Sequence, residues 1–352
     1  MEYRLLGRSG IKVSTLSFGT ATFGGTGALS KWGSTEKAEA RRLIDICIDA
    51  GINLVDTANA YSTGLSEEIL GEVIAGRTRD LLVATKVRFP MAPGPNNEGL
   101  SRRHIIAECE ASLRRLKIET IDLYQLHEWD GQTPLEETMQ ALDTLVRSGK
   151  VRYIGCSNFA AWQIMKAMEV TRSHGFVPLV AQQIYYSLES RDAEYELIPA
   201  TLDQGLGVLV WSPLAGGLLS GKYRRGKTPE EGGRHLNDWK EPPLADENRL
   251  YETIEVLVAI AEARGIGAAE VALAWLLGRP GVTSLVIGAR HEHQLTRNLG
   301  AAALRLTAEE TARLDAVSLQ RLIYPHWHQL ASASARLGAP EMSLISSYMQ
   351  TG

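Results

Sequence analysis

The stretch TEKAEARRLIDICIDAGINLVDTANAY (residues 35–61) decides the fold of this chain. In its first part, apolar residues recur at intervals of three and four, which predicts a helix with one buried face that ends at Gly51. The nearly continuous apolar run NLVDTA (53–58) follows and predicts a strand buried on both faces. A helix that leads at once into such a strand is typical of an α/β fold with a parallel sheet. The apolar face of the helix consists of Ala40, Leu43, Ile44, Cys47 and Ile48.

The same alternation of apolar runs and amphipathic segments continues along the chain. Eight β–α alternations are typical of a closed parallel barrel, so we predict an α/β fold, a (β/α)8 TIM barrel, in a single domain over residues 1–352. The alternative is a doubly wound sheet, which usually carries a GxGxxG turn after its first strand, and FGTATFGG (18–25) lacks that spacing. The expected barrel strands cover residues 13–19, 53–58, 81–87, 121–127, 151–158, 179–186, 207–214 and 283–289.

Several segments lie outside the barrel repeat. YRLLGRSGIKVS (3–14) predicts an N-terminal β-hairpin with Gly10 at its turn. The polar stretch from Arg224 to Asp246 is too long for a plain connection and predicts a functional loop or lid. We expect the C-terminal tail (324–352) to lie over the barrel mouth. The extra and terminal helices are expected at about 247–265, 268–278 and 307–318.

Charge and composition exclude several functions. The net charge of -4 argues against nucleic-acid or anionic-membrane binding, which needs a basic surface. No apolar run approaches the roughly 18 residues that span a bilayer, and the N-terminus lacks the pattern of a signal peptide. The three cysteines have no CxxC spacing, which indicates buried reduced thiols in a cytoplasmic protein. No cluster of residues has the usual spacing of a metal site.

Four polar residues lie where barrel strands end and loops begin. In barrels of this kind, the catalytic groups lie at this end. Asp56 ends the second strand, Tyr61 follows in its loop, Lys86 lies near the end of the third strand, and His127 ends the fourth. Each has a structural alternative: a turn cap, a strand-end lysine or a core histidine. Because all four occur at the same end of neighbouring strands, we expect them to form one site.

These four side chains are suited to protonating an oxygen atom. A free phenol has a pKa near 10, and a nearby ammonium lowers that pKa, which makes Tyr61 a usable general acid. Asp56 can act as the counter-ion of Lys86, and His127 can orient a carbonyl oxygen by a hydrogen bond. The set contains no nucleophile with a base, so the carbonyl carbon must be attacked by something else, and a hydride donor fits.

The ordered motifs resemble those of the aldo-keto reductase family over nearly the whole chain. They are DAGINLVDTANAY (49–61), VATKV (83–87), LYQLH (123–127), GKVRYIGCSNF (149–159), VLVWSPLAGGLLSGKY (208–223) and VIGARHEHQLTRN (286–298). The resemblance implies a (β/α)8 barrel that binds NAD(P)H without a Rossmann unit. It also implies a catalytic tetrad in which Tyr61 is the acid, Lys86 paired with Asp56 tunes it, and His127 orients the carbonyl.

The resemblance further implies a cofactor site for NADP(H), with NAD(H) as the alternative. Arg290 would pair with a 2′-phosphate, whereas Gly288 and Gln294 stand where one branch of the family carries Lys and Arg. Trp211 would stack on the nicotinamide ring. The nicotinamide end would be held by Thr20, Asp56, Ser157, Asn158 and Gln182, the pyrophosphate by Ser212, Leu214, Gly216 and Lys222, and the adenosine end by Gly288, Ala289, Arg290, Gln294 and Asn298.

The expected partner is a small carbonyl or alcohol substrate. Residues that could line its pocket are Phe23, Trp32, Arg88, Trp129 and Trp327. The function implied is the NADP(H)-dependent reduction of an aldehyde or ketone to an alcohol. Two alternatives stay open: a non-catalytic NADPH-binding regulatory subunit, and a physiological alcohol oxidation that runs the same reaction in reverse.

Overall fold

Eight parallel strands form a closed barrel in the computed structural model, which describes residues 1–27, 33–226, 243–244 and 246–349. The barrel strands follow one another in chain order, and the last strand closes onto the first through Leu285 opposite Leu16. The predicted (β/α)8 barrel is therefore confirmed. The strands are β1 (Tyr3–Leu5), β2 (Lys12–Ser14), β3 (Leu16–Gly19), β4 (Leu54–Asp56), β5 (Leu82–Val87), β6 (Ile121–Leu126), β7 (Val151–Ser157), β8 (Leu179–Tyr185), β9 (Gly207–Trp211) and β10 (Val282–Ile287).

Helices surround the barrel and pack against their neighbours in the ring. They are α1 (Lys37–Asp49), α2 (Leu65–Val73), α3 (Arg102–Leu116), α4 (Leu135–Arg147), α5 (Ala161–His174), α6 (Leu197–Gln204), α7 (Glu247–Arg264), α8 (Ala268–Leu277), α9 (Glu292–Leu299), α10 (Ala308–Ser318), α11 (His326–Ser332) and α12 (Ala339–Met349). In α1 the expected apolar face is the buried one, with Leu43 and Ile44 fully enclosed. Burial of each such side chain stabilises the fold by about 1.5–3 kcal/mol. Among the helices of the described ranges, none is both long and apolar enough to cross a membrane.

The predicted hairpin is present: β1 pairs with β2 in antiparallel register. The turn between the two strands contains Gly10, as expected, and also Gly7, which has a left-handed backbone (φ 60°). A Cβ atom on Gly7 would lie 2.6–2.7 Å from backbone atoms of Gly205, Gly207 and Val180, so only glycine fits there. The hairpin therefore packs against the start of β8 and β9 and covers the bottom of the barrel.

Side chains inside the barrel form an apolar layer below a polar one. Leu54, Ala84, Leu123, Ala181 and Leu209 form the apolar layer, together with Leu6 of the hairpin connection. Side chains two residues apart in a strand share a face, so the next inward positions lie one layer closer to the mouth. Those positions are Asp56, Lys86, Gln125, Gln183 and Trp211. The polar layer at the mouth thus follows from the register of the strands.

The C-terminal tail packs on the side of the barrel against α6. The ring of His326 in the tail stacks on the Tyr195 ring with centres 5.7 Å apart, and the Tyr348 hydroxyl donates to the Gln320 carbonyl (2.7 Å). Tyr195 lies in the loop that leaves the carboxyl end of β8, so the tail reaches the rim of the mouth there. Most of the expected lid between Arg224 and Asp246 lies outside the described residues, since 227–242 and 245 are not among them.

Candidate active site

A buried ion pair stands at the centre of the polar layer. The Lys86 ammonium donates to Asp56 Oδ2 at 2.5 Å and to the Thr57 carbonyl at 2.9 Å, and Lys86 has no exposed surface. The other oxygen, Asp56 Oδ1, accepts from Gln125 Nε2 (3.1 Å) and Gln183 Nε2 (2.9 Å). Three donors therefore satisfy the carboxylate, which lets both charges stay buried. The sequence reasoning missed the two glutamines, although the alternation of inward positions indicates them.

Tyr61 reaches this ion pair from the loop after β4. Its hydroxyl lies 3.4 Å from Lys86 Nζ, which lies 5.1 Å from the centre of the Tyr61 ring. The next two residues, Ser62 and Thr63, have left-handed backbones (φ 48° and 56°), an uncommon state for side chains with a Cβ atom. The Ser62 hydroxyl donates to the Phe23 carbonyl at 2.8 Å and holds this turn in place. The strained turn fixes the direction in which Tyr61 points.

His127 completes the set expected from the sequence. Its ring centre lies 5.8 Å from that of Tyr61 and 4.8 Å from that of Phe89, both in edge-to-face geometry. Its backbone carbonyl accepts from Asn158 Nδ2 at 3.1 Å, which joins the ends of β6 and β7. The His127 Nδ1 atom is buried without a hydrogen-bond partner among the described residues. The ring thus has hydrogen-bonding capacity left for a ligand.

The protonation of the three side chains follows from burial and their neighbours. Burial raises the pKa of the Tyr61 phenol, and the Lys86 ammonium opposes this rise without reversing it. The expected lowering of the Tyr61 pKa by Lys86 is thus present, but burial outweighs it and the net pKa is raised. Burial lowers the pKa of Lys86, but Asp56 and Tyr61 outweigh it and the net pKa is raised. Burial, Lys86 and Arg88 hold the pKa of His127 well below 6.5, so at neutral pH the site contains a phenol, an ammonium and a neutral imidazole.

A second ion pair supports the tetrad from behind. Glu67 of α2 is fully buried; its Oε1 accepts from the Thr85 hydroxyl (2.5 Å), and its Oε2 accepts from Arg115 Nε of α3 (2.6 Å). Thr85 precedes Lys86 in β5. Glu108 of α3 accepts from Asn59 Nδ2 (3.0 Å) two residues before Tyr61. These bonds fix both the strand of Lys86 and the loop of Tyr61 to the helices, and nothing in the sequence reasoning anticipated them.

Two of the expected nicotinamide residues meet at the mouth. Trp211 Nε1 donates to Asn158 Oδ1 at 2.9 Å, and the Trp211 ring packs on Tyr185 with centres 5.0 Å apart. Asn158 follows β7 with a left-handed backbone (φ 55°), directly after the buried Ser157. Trp211 is thereby fixed in orientation with part of its surface accessible.

Gln182 does not reach the mouth. Its side-chain oxygen accepts from the Thr201 hydroxyl of α6 at 2.9 Å, so the residue faces outward from the barrel. Its neighbour Gln183 occupies the inward position and contacts Asp56. The assignment of Gln182 was wrong by one residue, because adjacent residues of a strand point to opposite faces. Thr20 is also turned away from the centre, since its hydroxyl is shared with Ser66 at 2.9 Å.

Several residues in the segment after β9 have a left-handed backbone conformation. Ser212 (φ 50°), Ala215 (φ 50°), Gly216 (φ 65°) and Gly217 (φ 102°) have this conformation, and Ser212 Oγ accepts from the Gly216 amide at 3.0 Å. A Cβ atom on Gly217 would meet nothing within 4 Å, so the backbone there is open to a ligand. The other two expected pyrophosphate residues differ in exposure: Leu214 is partly buried and Lys222 is exposed.

The residues expected at the adenosine end surround the start of α9. Gln294 Oε1 accepts from the Arg290 amide at 3.1 Å, which ties Gln294 to its own helix start. Ala289 and Asn298 are buried, whereas Gly288 is exposed with open space around it. Within the described part of the chain, the Arg290 guanidinium has no hydrogen bond or ion pair. A free cation beside an open glycine fits an anionic group of a nucleotide.

The five expected substrate residues do not form one wall. Phe23 has no exposed surface and packs on Phe18 in the core, so its assignment to the pocket is wrong. The Trp129 ring contacts Phe159 and Trp162 near the ends of β6 and β7. Trp327 is half exposed, and its ring contacts are within the tail. Trp32 lies outside the described residues. Arg88 lies beside Phe89, close to the tetrad.

Comparison with known proteins agrees with the (β/α)8 barrel fold. The model of the aldo/keto reductase family matches residues 15–319. The uncharacterized oxidoreductase YrpG of Bacillus subtilis (strain 168) is 42% identical over 320 residues, which cover 88% of this chain and 93% of the relative. A probable voltage-gated potassium channel subunit beta of Oryza sativa subsp. japonica is 36% identical over 327 residues, 90% of this chain and 96% of the relative. A protein of the same name from Arabidopsis thaliana is 36% identical over 309 residues, 86% and 91% of the two chains. This chain therefore belongs to the aldo/keto reductase family.

Proposed function

We propose that the protein reduces an aldehyde or ketone to an alcohol with NADP(H), and that Tyr61 is the general acid. The observation that carries the proposal is the position of Lys86 Nζ between Asp56 Oδ2 (2.5 Å) and the Tyr61 hydroxyl (3.4 Å). The fold needs Lys86 as the counter-ion of Asp56, but it does not need a phenol beside the ammonium. The ammonium stabilises the negative charge that the phenol acquires when it gives up its proton.

The roles of the side chains follow from their protonation states. The substrate oxygen lies between the Tyr61 hydroxyl and the His127 ring, whose centre is 5.8 Å from that of Tyr61. Neutral His127 donates a hydrogen bond to that oxygen and orients it. Tyr61 transfers its proton as negative charge develops on the oxygen, and Lys86 stabilises the resulting phenolate. Asp56 keeps Lys86 charged in a site where burial alone lowers its pKa.

The residues at the mouth fit a nicotinamide nucleotide, as the family generally binds one. A reduced nicotinamide, when bound, supplies a hydride to the carbonyl carbon. Ser157, Asn158 and Gln183 would hold its carboxamide, with Gln183 in place of Gln182. Trp211 would stack on the ring. The open glycine segment after β9 and Lys222 would hold the pyrophosphate, and Arg290 would hold a 2′-phosphate.

The same residues support alcohol oxidation. In that direction a Tyr61 phenolate takes the proton of the alcohol, and Lys86 again stabilises the charged form. Because burial raises the pKa of Tyr61, the phenolate is scarce at neutral pH.

A second candidate is suggested by the two relatives named as potassium channel subunits. In it, the chain binds NADPH and acts as a regulatory subunit with little turnover. The buried tetrad supports turnover, since a binding protein needs no proton donor.

The three free cysteines, which are all buried, support the proposal of a reducing, cytoplasmic location.

One experiment separates the two candidates. The protein is mixed with NADPH and 4-nitrobenzaldehyde, and loss of the reduced cofactor is followed by its absorbance. NADPH binding is measured on the same preparation by fluorescence titration. We expect tight binding and steady turnover. Tight binding without turnover of 4-nitrobenzaldehyde or of a panel of sugars, steroids and cyclic ketones would contradict the proposal and favour the regulatory role.

A further inference from the structure

Arg88 presents an unpaired cation at the end of β5. Its Nε atom is buried and has no hydrogen-bond partner, and no ion pair or hydrogen bond of the guanidinium occurs within the ranges that the structure describes. The backbone of Arg88 is held in place, because its carbonyl accepts from the Gly99 amide at 2.8 Å. A partly buried guanidinium without a partner has lost hydration that the protein does not replace. It therefore has donors free for a ligand.

The position of Arg88 relates it to the substrate oxygen. It follows Lys86 by two residues, and its guanidinium carbon lies 5.3 Å from the centre of the Phe89 ring. That ring also contacts the His127 ring, with centres 4.8 Å apart. Phe89 thus contacts both Arg88 and the side chain that is proposed to orient the carbonyl, and Arg88 is close enough to His127 to contribute to its lowered pKa.

The charges around Arg88 leave its own charge uncompensated. Lys86 is paired with Asp56, and His127 is neutral at pH 7. An acidic neighbour is Glu128, whose carboxylate is influenced by the Arg88 charge but forms no ion pair with it among the described residues. Burial raises the pKa of Glu128 and Arg88 opposes that rise. A ligand carboxylate could approach the guanidinium more closely than Glu128 does.

We propose that Arg88 forms an anion subsite and that the preferred substrates are carbonyl compounds that also carry a carboxylate. This inference rests on the proposed function and specifies its substrate class. The planar fork of arginine binds a carboxylate through two parallel hydrogen bonds, which gives geometric as well as electrostatic selectivity. Ammonium groups or neutral ends at the same place would not gain these bonds.

The test compares 4-carboxybenzaldehyde with its neutral methyl ester, methyl 4-formylbenzoate, at pH 7 and fixed salt. The quantity of interest is the ratio of their kcat/KM values, in which a general loss of activity cancels. We expect the wild type to prefer the acid, and Arg88→Met to lower the ratio by about 10- to 100-fold. Arg88→Lys should retain part of the preference.

The matched control is Arg172→Met. Arg172 lies in the last turn of α5, at the opposite end of the barrel, and is mostly exposed. The replacement Arg172→Met removes the same charge and should leave the acid-to-ester ratio of kcat/KM at the wild-type value. A ratio in Arg88→Met within about twofold of the wild-type value, under conditions where a charge-assisted bond is worth at least tenfold, overturns the anion subsite.

A binding measurement keeps the inference separate from the proposed function. If the wild type turns over neither these two aldehydes nor 4-nitrobenzaldehyde and the substrate panel, the proposed function fails, and binding of 4-(hydroxymethyl)benzoate to the protein saturated with NADP⁺ is measured by calorimetry. Tighter binding to the wild type than to Arg88→Met, by tenfold or more, still supports an anion subsite. Equal binding to the two proteins overturns it.

Discussion

The Lys86 ammonium lies 3.4 Å from the Tyr61 hydroxyl, at the end of a chain of contacts that begins at the Asp56 carboxylate. Lys86 Nζ therefore contacts two groups at once: the Asp56 carboxylate, which carries a negative charge, and the Tyr61 hydroxyl, which can acquire one. In the proposed reaction, the ammonium already stands beside the charge that Tyr61 would acquire, so no side chain would have to move. Under that proposal, this preorganisation stabilises the Tyr61 phenolate, although burial raises the pKa of the phenol.

The replacement Tyr61→Phe should remove the proton donor and leave the rest of the site in place. We expect kcat for aldehyde reduction to fall by about 10²- to 10⁴-fold, the range for a lost general acid. NADPH affinity should stay nearly unchanged, because the hydroxyl faces the substrate. Steady-state kinetics and fluorescence titration measure the two quantities. A variant that keeps more than about a tenth of wild-type kcat, with chemistry rate-limiting, would exclude Tyr61 as the acid.

The replacement Lys86→Met should affect both activity and stability. Because Lys86 is fully buried, its loss leaves the Asp56 carboxylate without a counter-ion, at a cost of about 3–5 kcal/mol in the free energy of unfolding. The double replacement Lys86→Met with Asp56→Asn should recover much of that stability and none of the activity. Denaturant unfolding and initial rates on the same preparations test this. Normal turnover in Lys86→Met would show that the lysine is only structural.

The sequence predicts the barrel well because its strands are buried on both faces and its helices carry one apolar face. It also predicts the four central side chains, since the ends of neighbouring strands meet at one mouth. It fails where two candidates are adjacent, as with Gln182 and Gln183. Counting in steps of two from the inward Ala181 selects Gln183. Phe23 could not be excluded from the pocket by pattern alone, because the segment FGTATFGG (18–25) does not show that Phe23 packs on Phe18 in the core.

The stability of the protein should fall in mild acid through His127. Burial holds the pKa of His127 well below its ordinary value of 6.5. As the pH falls through 6.5, the imidazole is therefore protonated in the unfolded chain but stays neutral in the folded protein. The stabilising contribution is present above pH 6.5 and is lost as the pH falls below it, by up to about 1.4 kcal/mol per pH unit. His127→Gln should reduce the loss between pH 7.5 and 5.5 by roughly 1 kcal/mol. The control His293→Gln, at an exposed position of α9, should unfold like the wild type. Identical pH dependence in all three proteins, measured by urea unfolding, would contradict the assignment.

The cofactor preference should depend on Arg290, which stands directly before α9 with its guanidinium free among the described residues. A 2′-phosphate can form charge-assisted hydrogen bonds with it worth about 1.5–3 kcal/mol. NADH lacks that phosphate, so we expect Arg290→Ala to weaken the binding of NADPH by about 10- to 100-fold and that of NADH very little.

Arg297→Ala is the matched control, because Arg297 lies in the last turn of the same helix, more than half exposed, and faces Glu270 at 4.0 Å. It changes the net charge equally and should leave both affinities near the wild-type values. Dissociation constants from fluorescence titration at one salt concentration decide the matter. Equal losses for NADPH and NADH in Arg290→Ala would mean that Arg290 binds the shared pyrophosphate or supports the fold, and would leave the preference for NADPH to another residue.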